Sequence, residues 1–290
     1  MTGEGAAFVA GRGVPGADGP GAARPFPWGP ALLFCPADRP ERYAKALERA
    51  DAVILDLEDA VDPVRRADAR EALVASDLDP SRVIVRVNPA SSDDHAADLS
   101  ALAATPYRAV MLPKAESAAD LAALDRYDVI ALCETAAGVL AAPTLARQRS
   151  VLALMWGAED LVASLGGTSS RHADGTYRDV ARHARSSVLL AAAAAGIHAV
   201  DTVHLDIADL AGLAAEAEDA VAVGFAATAC IHPGQVETIR AAYRPDPDEV
   251  EAARALLAAA EEAGRGVFRY DGRMVDGPVL AHARAVLRRS

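Results

Sequence analysis

Eight short apolar runs recur along the chain, each separated from the next by a longer Ala-rich or Leu-rich stretch carrying Arg, Glu and Asp at helical spacing. The runs cover residues 31–35, 52–56, 83–87, 109–112, 129–133, 152–156 and 199–203, with the last starting at 222–225 and continuing towards Ile231. A strand that is apolar at nearly every position is covered on both faces, and strands of that kind joined by helices pair in parallel. Eight such units in roughly 210 residues fit a closed (β/α)8 TIM barrel, with an open doubly wound sheet as the alternative.

Helix punctuation fits the same rhythm. Pro40 and Pro63 open the segments 40–49 and 63–73, and Gly196 stands where a helix over 187–195 has to stop. Pro245-Asp246-Pro247-Asp248 marks a break followed by a helix to about Gly264, and residues 267–290 are too few for a domain of their own. The expected organisation is a flexible Gly/Pro-rich leader over 1–30, a barrel over 31–245, and a C-terminal helical extension over 246–290 that packs on the barrel or reaches a neighbouring subunit. The leader contains Gly11-Arg12-Gly13-Val14-Pro15-Gly16, a formal dinucleotide-binding glycine pattern. No strand precedes it and Pro15 falls where a helix should open, so a phosphate cradle is not expected there.

Asp and Glu number 41 against 29 Lys and Arg, a formal net charge of −12. That balance repels nucleic acid and anionic membranes, so neither is an expected partner, and an anionic small molecule would need a local basic pocket. No uncharged apolar run reaches the roughly 18 residues of a membrane span. Cys35, Cys133 and Cys230 lie far apart without a paired motif, which fits buried thiols in a reducing cytoplasm.

In a barrel of this kind the chemistry gathers where the strands end, because charges inside the walls are costly. The ends carry Asp56, Glu58 and Asp59, then Arg86 and Asn88, Lys114, Glu134, Glu159 and Asp160, and finally His232 and Gln235. Glu134 and Asp160 fall on neighbouring ends, where two hard oxygen ligands suit Mg²⁺ and leave its remaining shell to water and substrate. Zinc has no Cys or His pair to build on at these positions. Each carboxylate has a plainer alternative as the cap of the following helix. Arg86, in an otherwise apolar strand, needs an anion: a substrate carboxylate, an enolate oxygen, or a structural partner among Asp56, Glu58 and Asp59. Lys114 reaches either an acidic substrate or Glu116. His204 and Asp206 share a face if the seventh strand runs through them, where a helix cap serves as well as a metal site. His172 and His183 flank a polar connection that reads as a lid. No Gly-x-Ser-x-Gly elbow supplies a serine nucleophile.

These residues fall within an ordered series of motifs: Phe34-Cys35-Pro36, Val53-Ile54-Leu55-Asp56-Leu57-Glu58-Asp59-Ala60-Val61 with Ala69-Arg70, Arg86-Val87-Asn88, Leu112-Pro113-Lys114, Cys133-Glu134-Thr135-Ala136-Ala137-Gly138, Gly157-Ala158-Glu159-Asp160-Leu161, Ile231-His232-Pro233 with Gln235, and Asp271-Gly272-Arg273-Met274-Val275-Asp276. The series, running from about Leu32 to Leu287, resembles the citrate lyase β-subunit and malyl-CoA lyase group of the HpcH/HpaI aldolase superfamily. The resemblance implies a (β/α)8 barrel, commonly trimeric, that uses Mg²⁺ to cleave or form a 3-hydroxyacyl-CoA thioester such as malyl-, citramalyl- or citryl-CoA, giving acyl-CoA and a 2-oxo acid. By position it makes Glu134 and Asp160 the metal ligands, Arg86 the anion clamp and Asp59 an active-site carboxylate. Lys114 and His232 would serve coenzyme A thioester binding, and Asp276 would come from an adjacent subunit to transfer a proton. Gly29-Pro30 and Ala227-Thr228 stand where the family often has basic coenzyme-binding residues. Two alternatives remain: thioester hydrolysis at the same site, or a non-catalytic acyl-CoA-binding subunit.

Overall fold

Along each strand, side chains alternate between two apolar surroundings, and that alternation dictates the architecture. The computed structural model describes residues 26–264 and 266–290. Eight parallel strands, β1 (Ala31–Pro36), β2 (Ala52–Asp56), β3 (Val83–Arg86), β4 (Ala109–Leu112), β5 (Asp128–Cys133), β6 (Val151–Trp156), β7 (His198–Asp201) and β8 (Ala227–Cys230), pair in chain order and close through β8 against β1. Leu32, Ile54, Ile84, Met111, Ile130, Leu132, Met155 and Val200 fill the barrel. Their neighbours Leu33, Leu55, Val85, Leu112, Cys133 and Trp156 face the surrounding helices. Burying each large aliphatic chain contributes about 1.5–3 kcal/mol, so both layers favour the closed form.

The outer ring consists of α1 (Tyr43–Arg49), α2 (Arg66–Ala75), α3 (His95–Ala103), α4 (Ala136–Leu145), α5 (Ala158–Ser164), α6 (Asp179–Ala195), α7 (Leu210–Val223) and α8 (Val236–Tyr243). A 3₁₀ segment, Ala118–Leu124, takes the helix position between β4 and β5. Gly196 ends α6 in the left-handed conformation at φ +71°. The eighth strand starts later than the sequence suggests: Ala222 and Val223 finish α7, whose Leu213, Ala217 and Ala220 are buried at helical spacing, and Gly224 stops it at φ +108°. β7 likewise ends at Asp201, so His204 and Asp206 lie in a loop and share no strand face.

The glycine pattern over 11–16 lies outside the described residues. The described end of the expected leader packs against the barrel. Trp28, 5% exposed, joins the interior cluster, with Phe26 edge-on at 5.3 Å. Gly29 adopts φ +72°, and a Cβ there would come 2.5 Å from Cβ of Asp51. Asp51 in turn accepts from the Ala31 backbone at 3.0 Å and pairs with Arg240 at 2.9 Å, which ties the entering chain to α8.

After the barrel come α9 (Pro247–Ala263), the antiparallel hairpin β9 (Phe268–Tyr270) and β10 (Arg273–Val275), and α10 (Gly277–Leu287). Asp271 and Gly272 form the hairpin turn with positive φ at both positions, the geometry that matches strand twist. The extension has its own apolar clusters, one around Ala253, Ala283 and Val286 and one around Phe268, Val275 and Leu280. Among the described residues no helix is long and apolar enough to cross a membrane.

Candidate active site at the mouth of the barrel

The register of β2 on β3 sets Asp56 beside Arg86, and the side chains use that proximity. Nε and Nη2 of Arg86 donate to the two carboxylate oxygens of Asp56 at 2.7 and 2.5 Å, and Nη1 lies 2.8 Å from Oε2 of Glu58. The guanidinium also sits over the Phe34 ring, 4.9 Å from its centroid. The structural ion pair foreseen for Arg86 therefore exists. Burial alone would make the guanidinium easier to deprotonate, but Asp56, Glu58 and Glu134 outweigh it and hold the charge firmly. Asp56 additionally accepts from the backbone N–H groups of Glu58 and Ala60 at 2.9 and 3.1 Å, which fixes the loop that presents Glu58 and Asp59.

A second carboxylate group forms on the other side. Glu134, 2% exposed at the end of β5, has its carboxyl pushed up to about 8, first by burial and then by the charges of Asp160 and Glu58. β5 pairs with β6 through Cys133 and Trp156, so the next residue, Gly157, faces Glu134 directly. A Cβ at Gly157 would come 2.8 Å from Oε2 of Glu134 and 3.0 Å from its Cβ. Glycine is what lets the carboxylate occupy this place. Asp160 follows in the first turn of α5, with 38% of its side chain exposed. The helix-cap alternative fails for this pair, since α5 has no side-chain cap and Thr135, not Glu134, caps α4 by accepting from Gly138.

Lys114 links the two groups. Its backbone N–H donates to Oε1 of Glu134 at 3.1 Å, and its Nζ lies 2.5 Å from Oε1 of Glu58, 3.7 Å from Asp59 and 3.8 Å from Asp160. It does not pair with Glu116, which accepts instead from Thr135 Oγ1 at 2.7 Å. Lys114 takes a positive φ of +50°.

Phe34, Asp59, Arg86, Leu132, Glu134, Met155, Gly157, Asp160, Thr202 and Ile231 are among the walls of one cavity of about 310 Å³ at this mouth. Arg86, Asp59, Glu134 and Asp160 thus converge as foreseen, with Lys114 beside them. His232 does not line that cavity: it is exposed, and its Nδ1 accepts from the Gly234 backbone at 3.1 Å, while Gln235 binds the backbone N–H groups of Ile231 and His232. Asp276 caps α10 in the extension, accepting from Val279 at 3.4 Å. The polar connection after α5 is fastened: Arg171 pairs with Glu216 of α7 at 2.5 Å, and Ser170 donates to Glu159 at 2.5 Å. Glu216 also receives Nδ1 of His204 at 2.9 Å, so that histidine serves the same fastening. All three cysteines are buried with thiols held protonated by desolvation, Cys133 up to about 12.

A larger groove of about 440 Å³ lies outside the barrel wall between α2 and α3. Its one cation, Arg70, is already tied to Asp94 and Asp98, so chemistry is better served at the mouth. Sequence reading overlooked the role of Gly157 and named Asp56 only as one of three possible partners of Arg86. The signal for the first was a glycine directly after the strand adjoining Glu134.

A model of the HpcH/HpaI aldolase/citrate lyase family matches residues 31–233. A citrate lyase subunit beta-like protein of Mycobacterium tuberculosis is 56% identical over 262 residues, covering 90% of this chain and 96% of that protein. A (3S)-malyl-CoA thioesterase of Cereibacter sphaeroides is 35% identical, covering 90% and 94%, and the human mitochondrial citramalyl-CoA lyase 30% identical, covering 88% and 83%. Among solved structures, that of CitE from M. tuberculosis in complex with magnesium, acetoacetate and coenzyme A superimposes with a TM-score of 0.84 at 57% identity, covering 90% of this chain and 97% of that one. With a family model matching residues 31–233 and relatives matched over most of their length, the chain belongs to the HpcH/HpaI aldolase/citrate lyase family.

Proposed function

We propose that the protein is a Mg²⁺-dependent carbon–carbon lyase that cleaves or forms a 3-hydroxyacyl-CoA thioester, with acyl-CoA and a 2-oxo acid on the other side of the reaction. The observation that carries this reading is the approach of Asp160 to the buried Glu134 in a cavity that Arg86 also lines. A buried carboxyl whose proton affinity is raised by burial and by a neighbouring carboxylate is a poor arrangement alone and a good one for a hard dication. Among the described residues no three His, Cys, Asp or Glu side chains gather as a metal cluster. Glu134 and Asp160 would hold the ion and leave positions for the oxo acid and water, the usual habit of Mg²⁺. The cation supplies Lewis-acid polarisation of the oxo-acid oxygens.

The chain's own residues supply the rest. Breaking the bond between the second and third carbons of the substrate requires removal of the hydroxyl proton and leaves negative charge on the thioester oxygen. Asp59, exposed at the rim, would take the proton. Arg86, held rigid by Asp56 and Glu58, presents fixed positive charge to the cavity where the enolate oxygen develops. Asp276 protonates the enolate carbon, delivered from an adjoining subunit of a homo-oligomer, for which we favour a trimer. The cavity accommodates an oxo acid and an acyl terminus, so the coenzyme portion lies outside it, against the mouth.

Glu134→Ala and Asp160→Ala are expected to abolish turnover while leaving the circular dichroism spectrum intact. Full activity of either variant overturns the assignment. A second reading, hydrolysis of the thioester at the same site, draws support from the similarity to a (3S)-malyl-CoA thioesterase. It predicts release of free coenzyme A thiol with the hydroxy acid intact.

A further inference from the structure

Lys114 and Asp271 are the described non-glycine residues with positive φ. Asp271 is explained by the hairpin turn it makes with Gly272, whereas Lys114 follows Pro113 at the mouth with no turn glycine beside it. L-residues with side chains resist this conformation, so something at the mouth holds it. Its contacts account for it. The positive φ aims the backbone N–H at Glu134 and brings the ammonium among Glu58, Asp59 and Asp160 at 2.5, 3.7 and 3.8 Å. One residue thus answers four carboxylates. Arg86, the other cation of the mouth, is committed to Asp56 and Glu58.

We infer that Lys114 is the resident counter-ion of the carboxylate cluster, that its ammonium competes with the divalent cation for Asp160, and that it thereby sets the affinity of the site for the metal alone. The inference rests on the Mg²⁺ reading of Glu134 and Asp160, and goes beyond it by giving Lys114 a positioning and charge-balancing role in place of coenzyme contact. A cation held by Glu134 and Asp160 would sit close to a like charge on Nζ, which already lies 3.8 Å from Asp160.

The test is calorimetric titration of the full-length protein with MgCl₂ alone, without oxo acid or coenzyme, above pH 8 so that the Glu134 carboxyl is mostly ionised. Lys114→Met removes the charge and keeps the chain. Lys114→Gly also removes it, while keeping the N–H to Glu134 and relaxing the backbone. Both are expected to bind Mg²⁺ about tenfold more tightly than the parent, the effect of removing one like charge a few ångströms from a dication at a wet rim. Lys114→Arg keeps the charge and is expected to bind as the parent does. Unchanged or weaker binding by both uncharged variants, with the parent binding normally, overturns the inference alone; no binding by any of the proteins overturns it together with the metal reading. Thermal unfolding gives a second readout. In chelator Lys114→Met is expected to melt below the parent and to gain more from Mg²⁺ than the parent gains. Equal gains contradict the proposal.

Discussion

Replacing Gly157 by alanine adds a single methyl group where the structure leaves no room. That methyl would sit 2.8 Å from Oε2 and 3.0 Å from Cβ of Glu134, below ordinary contact distance to both. Glu134 is 2% exposed, and its other oxygen is bonded to the Lys114 backbone at 3.1 Å, so the carboxylate cannot retreat without giving up that bond. Overpacking of this size costs about 1–3 kcal/mol of stability. The larger effect falls on the metal. Displacing one of the two proposed protein ligands by several tenths of an ångström should weaken Mg²⁺ binding by about 10–100-fold, the range seen when the support of a ligand is disturbed. Calorimetric Mg²⁺ titration measures the affinity, and urea unfolding followed by circular dichroism measures the stability. Gly266→Ala is the control, because an added Cβ there meets nothing within 4 Å. If Gly157→Ala binds Mg²⁺ and unfolds like the parent, Glu134 does not hold the ion in the position described.

Three further outcomes follow from the same geometry. Glu134 keeps a proton up to about pH 8 in the folded protein, whereas an unfolded chain releases it near pH 4.3, so the folded state binds more protons in this window. Stability without metal should therefore fall as pH rises from about 4.5 towards 8 and then level off, with Glu134→Gln flattening the profile; parallel urea-unfolding profiles would contradict the shift. Asp98 is fully buried and accepts from Arg70 Nε and from the Asn88 backbone and side chain, each at 2.7 Å. Asp98→Ala strands these donors and should cost about 3–5 kcal/mol in denaturant unfolding, while a change below 1 kcal/mol would show that the network carries little. Asp276→Asn is expected to lose turnover with Mg²⁺ affinity intact, and to regain part of it when co-assembled with Glu134→Gln; complementation that never appears places the proton transfer within one subunit.

Much of the barrel was legible because its strands are buried on both faces, which writes them as continuous apolar runs. The eighth failed at its start for a physical reason. Ala222 and Val223 suit either structure, and only the burial of Leu213, Ala217 and Ala220 on one helical face decides for helix. The hairpin after α9 was missed although Asp271-Gly272 signals it, since its strands have three residues each. At the site, position on the strand ends was enough to bring Arg86, Asp59, Glu134 and Asp160 to one cavity. Choice of partner was not legible. Arg86 meets Asp56 through the β2–β3 register, 30 residues away in sequence, and Lys114 bypasses nearby Glu116 for Glu58 with a positive φ that no composition reveals. His232 follows β8 at the mouth, but the partner of its Nδ1, the Gly234 backbone of the turn that follows, was not legible either.

The most direct test of the account is to identify the products formed from malyl-, citramalyl- and citryl-CoA by mass spectrometry, with and without a chelator. Cleavage of at least one of them to a 2-oxo acid and an intact acyl-CoA thioester, stopped by chelation and restored by Mg²⁺, is the predicted result. Free coenzyme A accompanied by the uncleaved hydroxy acid, or oxo-acid release that persists unchanged in chelator, would contradict it.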